Sequence, residues 1–496
     1  MAAPADPLNA AFTAETIKTL SVSGAAATFA AQAIKFVVQL GSRVALARLL
    51  DPRDFGLIAM VAPVLGFVQV LNDLGFAQAV VQRPEVTQKQ VSALFWINAL
   101  IGLGLTVLTV ALAPLIAWLY GEPRTLAITA VLGSLIFLTS LSVLPAALLN
   151  RQLRFGPLAI ADAGCQFVGV VAGLAAAWSG LGYWSLVLMQ VGTSLSSLVI
   201  LWCFTRWRPS WPRREAGIGS MVRFGANLMG SNMATYFSMS ADNILVGVFG
   251  GPVALGLYDT SYNLVVRPLS QITAPVSRVA VPMLSRLVDV PERYAANYFI
   301  MIQTMLLAYL PGLVFAITLA RPLLLLLLGT KWEGTIPVFG WIASGGLVAP
   351  LFASGGWLLT SQDRTKELMW VSTTTAVLSV ISFALGIIWG VIGVAMLSAI
   401  CFFFLQTPLL LRVATRSGPV STRALVTALL PFAVATGVTV AALAALDTVR
   451  PDGIPGLVLL AAASYIVFLA AIICFPGGLT MLRRLLKLGA ILRNRG

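Results

Sequence analysis

From Val91 to Leu119 the chain runs without a single Asp, Glu, Lys or Arg. Blocks of this kind recur along the whole sequence, and they leave few folds open. About twenty apolar residues in a helix cross the roughly 30 Å of hydrocarbon in a bilayer. Lipid offers no partner to backbone N–H and C=O groups, so such blocks must be helical. The alternating pattern of a membrane barrel is absent. Composition agrees: 58% of the 496 residues are hydrophobic and 10% are charged, against about 25% charged in a soluble domain. The expected fold is all-α and polytopic, with about fourteen transmembrane helices: 20–47, 55–81, 91–119, 126–149, 158–178, 182–205, 224–248, 256–281, 297–320, 336–360, 368–388, 391–411, 424–446 and 456–475. The run Leu323 to Leu328 is too short to span and is expected to extend the outer end of the ninth helix.

The formal charge of +14 does not point to nucleic acid, because the basic residues sit in short loops between apolar blocks. The termini and the loops after even-numbered spans hold 23 of them, and the loops after odd-numbered spans hold 6. The positive-inside rule then puts both termini in the cytoplasm. The first nineteen residues carry acids and one lysine, unlike a signal peptide. With no histidine, zinc-peptidase motifs and histidine triads are excluded. Cys165, Cys203, Cys401 and Cys474 lie within apolar blocks without ligand spacing, so they read as packing residues and no metal or cofactor is expected.

A loose internal repeat divides the chain. Pro52, Gly56 and Leu57 recur as Pro252, Gly256 and Leu257; Gln152 and Arg154 as Gln362 and Arg364; Trp178 and Gly182 as Trp389 and Gly393. The expected organisation is an N-terminal lobe of six spans (1–205), a cytoplasmic linker (206–223), a second six-span lobe (224–411), two further spans (412–476) and a basic amphipathic tail (477–496) lying on the cytoplasmic leaflet. Six spans per half give two pseudo-symmetric lobes of one orientation, with a polar cavity expected between them.

Several spans carry polar residues that need a reason, since a charge at the bilayer centre costs about 2.5–3.5 kcal/mol on insertion scales. Span 1 has Thr28, Gln32, Lys35, Gln39, Ser42 and Arg43 at steps of three and four, one helix face. Span 7 has Asn227, Ser231, Thr235, Ser238 and Asp242; span 8 has Asp259, Tyr262, Asn263, Arg267 and Ser270. Lys35 and Arg267 fall near the midplane, Arg43, Asp242 and Asp259 in the outer third, and Asp73 and Asp162 in the inner third. One reading is a water-filled cavity with a cationic centre formed by Lys35, Arg43 and Arg267 and lined by Gln32, Gln39 and Asn263, suited to a phosphate-bearing anion. Asp242, Asp259, Asp73 and Asp162 would then serve gating or coupling. The other reading is buried ion pairs that only join helices. Pro63, Pro268, Pro275 and Pro311 can bend their spans.

ARLLDPRDFGLIAM (47–60), NDLGFAQAVVQ (72–82) and LNRQLRFGPLAIAD (149–162) resemble the polysaccharide transporter branch of the multidrug/oligosaccharidyl-lipid/polysaccharide (MOP) exporter superfamily, the Wzx-type flippases of the colanic acid, succinoglycan and xanthan kind. The resemblance implies a bacterial inner-membrane protein without enzymatic activity. It implies an undecaprenyl-pyrophosphate-linked oligosaccharide as cargo, moved from the cytoplasmic to the periplasmic leaflet by alternating access. Its partners would be membrane lipids and the polysaccharide polymerase and export machinery, with no nucleic acid. No G-x-x-x-x-G-K-[ST] phosphate loop is present. The alternatives are a drug/cation antiporter of the same superfamily, whose cavity should favour acids, and an integral-membrane glycan polymerase, which should carry a sizeable outer loop.

Overall fold

The computed structural model describes residues 32, 34–72, 75–82, 86–205, 207–211, 218–448, 453–479 and 481–483, with the backbone alone for 218–239. Among these, no strand occurs and nearly everything is helix. The chain is an all-α polytopic membrane protein. Among the described residues, eleven stretches are long and apolar enough to cross a bilayer. Two of them, Ser240–Ser285 and Thr365–Arg416, are 46 and 52 residues long and contain a sharp break, at Gly251 and Gly390. The first expected span begins before the described residues, and the C-terminal amphipathic tail lies largely outside them.

The chain forms two compact units, Met1–Gly256 and Leu257–Gly496. The first holds α1 (34–49), α2 (Pro52–Asn72), α3 (Phe76–Gln82), α4 (Gln88–Tyr120), α5 (Arg124–Arg151), α6 (Phe155–Trp178), α7 (Trp184–Phe204), and the first arm of α8 (Ile218–Ser285) with the start of its second. The second expected span is thus two helices. Gly75, at φ 64°, separates α2 from α3, a backbone region glycine enters without a steric penalty. Helix α4 starts at a capping box between Thr87 and Gln90 and ends on Gly121 in the left-handed region. Leu57 and Val61 of α2 bury against Ile128, Leu132 and Leu135 of α5 and Val187 of α7. Phe76 and Val80 of α3 close a second core with Leu94, Leu144, Leu148 and Trp207. Helices α6 and α7 form a close hairpin, in which a β-carbon on Gly169 or Gly173 would strike Thr193 or Met189 of the facing helix. Close backbone approach replaces the hydrophobic effect as the adhesive when lipid surrounds the pair.

A buried polar group ties α2, α4 and α5 together. Asn98 Nδ2 donates to Ser140 O at 2.8 Å, and Ser140 Oγ lies 2.9 Å from Asn72 Oδ1. Asn72 and Asn98 are each 1% exposed. Gly102 leaves the room that Ser140 occupies.

The second unit holds the remaining arm of α8, then α9 (Pro291–Thr318), α10 (Ala320–Leu328), α11 (Thr335–Gly346), α12 (Ala349–Ser361), α13 (Thr365–Gly386), α14 (Gly390–Cys401), α15 (Thr407–Arg416), α16 (Thr422–Asp447) and α17 (Ile454–Cys474). The leucine run forms α10, set off from α9 at Leu319. Span 10 breaks into α11 and α12 at 347–348, and a π-helical turn, Phe402–Gln406, sits between α14 and α15. Buried tyrosines of α9 fasten it to α11 and α12: Tyr294 to Ser361 at 2.6 Å, Tyr298 to Ser354 at 3.0 Å, and Tyr309 to the Gly346 carbonyl at 2.7 Å. The hairpin of α16 and α17 packs on α9 through Val314, Leu443, Leu457 and Leu460.

The same turn is built twice. After α5, Leu153 stands at φ 53°; after α12, Asp363 stands at φ 56°. The Arg154 amide donates to Leu149 O, and the Arg364 amide to Leu359 O. The Arg154 guanidinium donates to Phe204 O at the end of α7 (3.2 Å), and that of Arg364 to Val413 O (2.7 Å) and Ala414 O (2.9 Å) near the end of α15. The sequence echo at these arginines is therefore an echo of structure. Left-handed glycines also recur between the following helices, at Gly180 and Gly390, one residue out of register with the pairing of Trp178 and Trp389.

Candidate functional site

Helix α1 lays its polar stripe along α6. Gln39 Nε2 reaches Gln166 Oε1 at 3.5 Å, and Ser42 Oγ donates to Gln39 O at 2.9 Å. One turn earlier on each of these two helices stand Lys35, half-buried, and Asp162, exposed. Gln32 is exposed at the start of the described part of α1. A cation, a carboxylate and two carboxamides therefore occupy two successive turns of α1 and α6. Such a strip can hold water or an anion where the neighbouring surface is apolar. Two turns further along α1 from Lys35, the Arg43 guanidinium lies over the Phe55 ring of α2, 5.5 Å from its centroid. That contact holds the cation in a partly desolvated position.

In the first arm of α8, Asp242 is buried, and one carboxylate oxygen accepts from the Asn243 amide at 2.8 Å. The other members of that stripe, Asn227, Ser231, Thr235 and Ser238, have side chains outside the described residues, and Asp73 lies outside them altogether. In the second unit, Asn263 Nδ2 donates to the Asp259 carbonyl (2.7 Å) and its carboxylate (2.9 Å). One turn further along, Arg267 and Ser270 are exposed, and Ser270 Oγ donates to Arg267 O. The stacked rings of Tyr258 and Tyr262 share this arm. Lys35, Arg43, Asp162 and Asp242 belong to the first unit, and Asp259, Asn263 and Arg267 to the second.

Three features were not visible in the sequence reading. Gln166 is the partner of Gln39; its spacing of four from Asp162 was the available signal. Glu122, buried between α4 and α5, takes Arg53 at 2.9 Å and Arg124 at 3.7 Å. The third is a crossing. Pro52 opens α2, and Pro252 follows the bend at Gly251 in α8. A β-carbon on Gly56 would run into the Pro252 carbonyl oxygen, and one on Gly256 into that of Pro52. The repeated Pro-x-x-x-Gly motifs thus meet each other, backbone against backbone, in a reciprocal contact. Nearby, Gly247 leaves room for the ring of Tyr120.

Residues 45–337 match the family described as "Polysaccharide biosynthesis protein". The chain belongs to this family. The motifs at 47–60, 72–82 and 149–162, which resemble the polysaccharide branch of the MOP superfamily, all fall within the matched residues. The teichuronic acid biosynthesis protein TuaB of Bacillus subtilis is 24% identical over 64% of this chain and 72% of its own. The lipopolysaccharide biosynthesis protein WzxC of Escherichia coli is 24% identical over 70% of this chain and 71% of its own. In fold, the chain is similar to the lipid II flippase MurJ in an inward closed conformation, with a TM-score of 0.69 at 15% identity, over 90% of this chain and 98% of that one. This is a multi-pass membrane protein of polysaccharide biosynthesis with a transporter fold, and the glycan polymerase alternative is set aside.

Proposed function

We propose that the protein flips an undecaprenyl-pyrophosphate-linked oligosaccharide from the cytoplasmic to the periplasmic leaflet of a bacterial inner membrane by alternating access. The observation that carries this reading is the polar strip of α1 on α6, Gln39 against Gln166 with the part-exposed Lys35 one turn earlier. A glycan headgroup with its diphosphate is costly to move through hydrocarbon. A strip of carboxamides lowers that cost for hydroxyls, and cations lower it for the diphosphate. Lys35, Arg43 and Arg267 would meet the diphosphate, with Gln32, Gln39 and Asn263 beside it, while the prenyl tail stays in lipid. Asp242, Asp259, Asp73 and Asp162 would serve gating or coupling. The biosynthetic roles named for TuaB and WzxC, and the lipid II named for MurJ, support the same class of substrate.

The test is transfer of lipid-linked oligosaccharide between leaflets in proteoliposomes. Lys35→Ala and Arg267→Ala should each slow transfer about tenfold or more, equivalent to ~1.4 kcal/mol in the barrier, at unchanged protein abundance. Arg267→Lys should fall between, since the charge survives and the planar fork is lost. Full transfer by a well-folded double alanine variant would refute the anion-binding role.

A further inference from the structure

The first unit holds a cavity of about 620 Å³ at the end of α2 and α5 opposite the Pro52 crossing. It lies among α2, α3, α5 and α6. Four carboxamides line it: Gln69 and Asn72 of α2, Gln78 of α3 and Asn150 of α5. Among the described residues the remaining lining is aliphatic, such as Val70, Val81 and Val143, and no charged side chain contributes. The break at Gly75 separates the helices that carry Asn72 and Gln78 on either side of it.

Asn72 is the informative group. It is 1% exposed, its Oδ1 is engaged by Ser140 Oγ at 2.9 Å, and its Nδ2 meets no partner. Turning the amide over only exchanges which atom is left open. Leaving such an atom buried and unmatched costs about 1–3 kcal/mol. The structure retains that cost at the wall of a cavity whose volume is typical of small-molecule sites.

The lining selects among ligands. An anion would call for a cation, and none stands among the described lining residues. An acyl chain gains nothing from four carboxamides. A carboxamide offers both donors and an acceptor, and a sugar hydroxyl does the same, while aliphatic walls suit the C–H faces of a pyranose. We propose that this cavity is a subsite for one neutral sugar residue of the transported glycan, separate from the cationic stripe that meets the diphosphate. The proposal rests on the flippase reading given above.

The experiment uses the full-length chain in proteoliposomes, with the exposed Cys203 and Cys474 changed to serine and Ala146→Cys introduced on the cavity wall. The rate of N-ethylmaleimide modification at position 146 is measured alone, with prenyl-linked oligosaccharide extracted from the host, and with undecaprenyl pyrophosphate. Leaflet transfer of the extracted oligosaccharide is followed in the same vesicles. At about ten times its Kd, the oligosaccharide should slow modification about tenfold, and undecaprenyl pyrophosphate should leave the rate unchanged. Asn72→Leu should remove the protection, and so should Gln78→Leu, whose side chain is exposed and whose loss does not threaten folding. Equal protection by the sugar-free lipid would make the cavity a lipid site and overturn the proposal. Transfer without protection would overturn the sugar subsite and leave the flippase reading standing. Absence of transfer by the unsubstituted protein would overturn both.

Discussion

The two arginines that follow α5 and α12 show how much a single residue can hold. Arg364 donates to two carbonyls near the end of α15 and pairs with both carboxylate oxygens of Glu367, at 2.7 and 2.6 Å. Its side chain is 12% exposed. Arg154 makes the same reach to a single carbonyl, at 3.2 Å. Hydrogen bonds from a charged donor contribute roughly 1.5–3 kcal/mol when removal strands the acceptor. Arg364→Ala should therefore destabilise the purified protein by about 2 kcal/mol or more in thermal unfolding, and Arg154→Ala by distinctly less. Equal losses would mean that the second carbonyl adds nothing. The glycines at the crossing work in the opposite sense, by what they lack. Gly56→Ala and Gly256→Ala should each cost about 1–3 kcal/mol, the usual range for overpacking a close contact. Because either change already separates the same two peptide groups, the double variant should fall short of the sum by about 1 kcal/mol. Strict additivity would show the two contacts to be independent.

At the scale of elements, the sequence made the helices legible and left their joints unread. Long charge-free blocks identify a helix in lipid with little ambiguity, and the three- and four-residue steps of Gln32, Lys35 and Gln39 identify a polar face. The π turn after Cys401 falls inside an apolar run that carries no mark of it, whereas Asn72-Asp73-Leu74-Gly75 at the break between α2 and α3 and Gly345, Gly346 and Pro350 around the split of span 10 are turn residues that a count of apolar blocks passes over. The buried trio of Asn72, Asn98 and Ser140 was equally silent. An uncharged polar residue in an apolar block reads as packing until the facing helix is known. The crossing of Gly56 and Gly256 needed coordinates, because the repeat revealed the motifs and only the backbone reveals that they touch. Arg43 of α1 and Asp242 of α8 both belong to the first unit, and we hypothesise that they form an outer gate. A pair there, partly desolvated, could bias two conformations by about 1–3 kcal/mol. Arg43→Asp combined with Asp242→Arg should recover part of the transport that either change alone removes. Cysteines at 43 and 242 that never crosslink, while a control pair at the same depth does, would rule the gate out.

For the whole molecule, the orientation argued from basic residues is directly measurable. Single cysteines at Ser179 and Val253 should react with a membrane-impermeant maleimide added to intact spheroplasts, while one at Ser210 should react only after permeabilisation. Labelling of Val253→Cys from the cytoplasmic side alone would break both the span count and the repeat. Two-unit division, doubled turn and reciprocal crossing are properties of the entire chain, and the sequence hinted at them only through matches that were each weak alone.

The bend at Gly251 carries a consequence for how the protein reaches the membrane at all. One residue with φ 74° and ψ −177° joins the two arms of α8, and a straight helix would separate Gly247 from Leu255 by about 12 Å, whereas a β-carbon on Gly247 would sit 3.2 Å from Leu255. Of the candidate spans, this stretch is the least apolar, with Asp242, Asp259 and Arg267 along it. Neither arm is a strong insertion signal by itself. They should leave the translocon together, as a preformed hairpin, so residues 218–249 fused alone behind a soluble carrier should be extracted from membranes by carbonate while residues 218–285 in the same fusion resist. Biogenesis would then hinge on a single glycine.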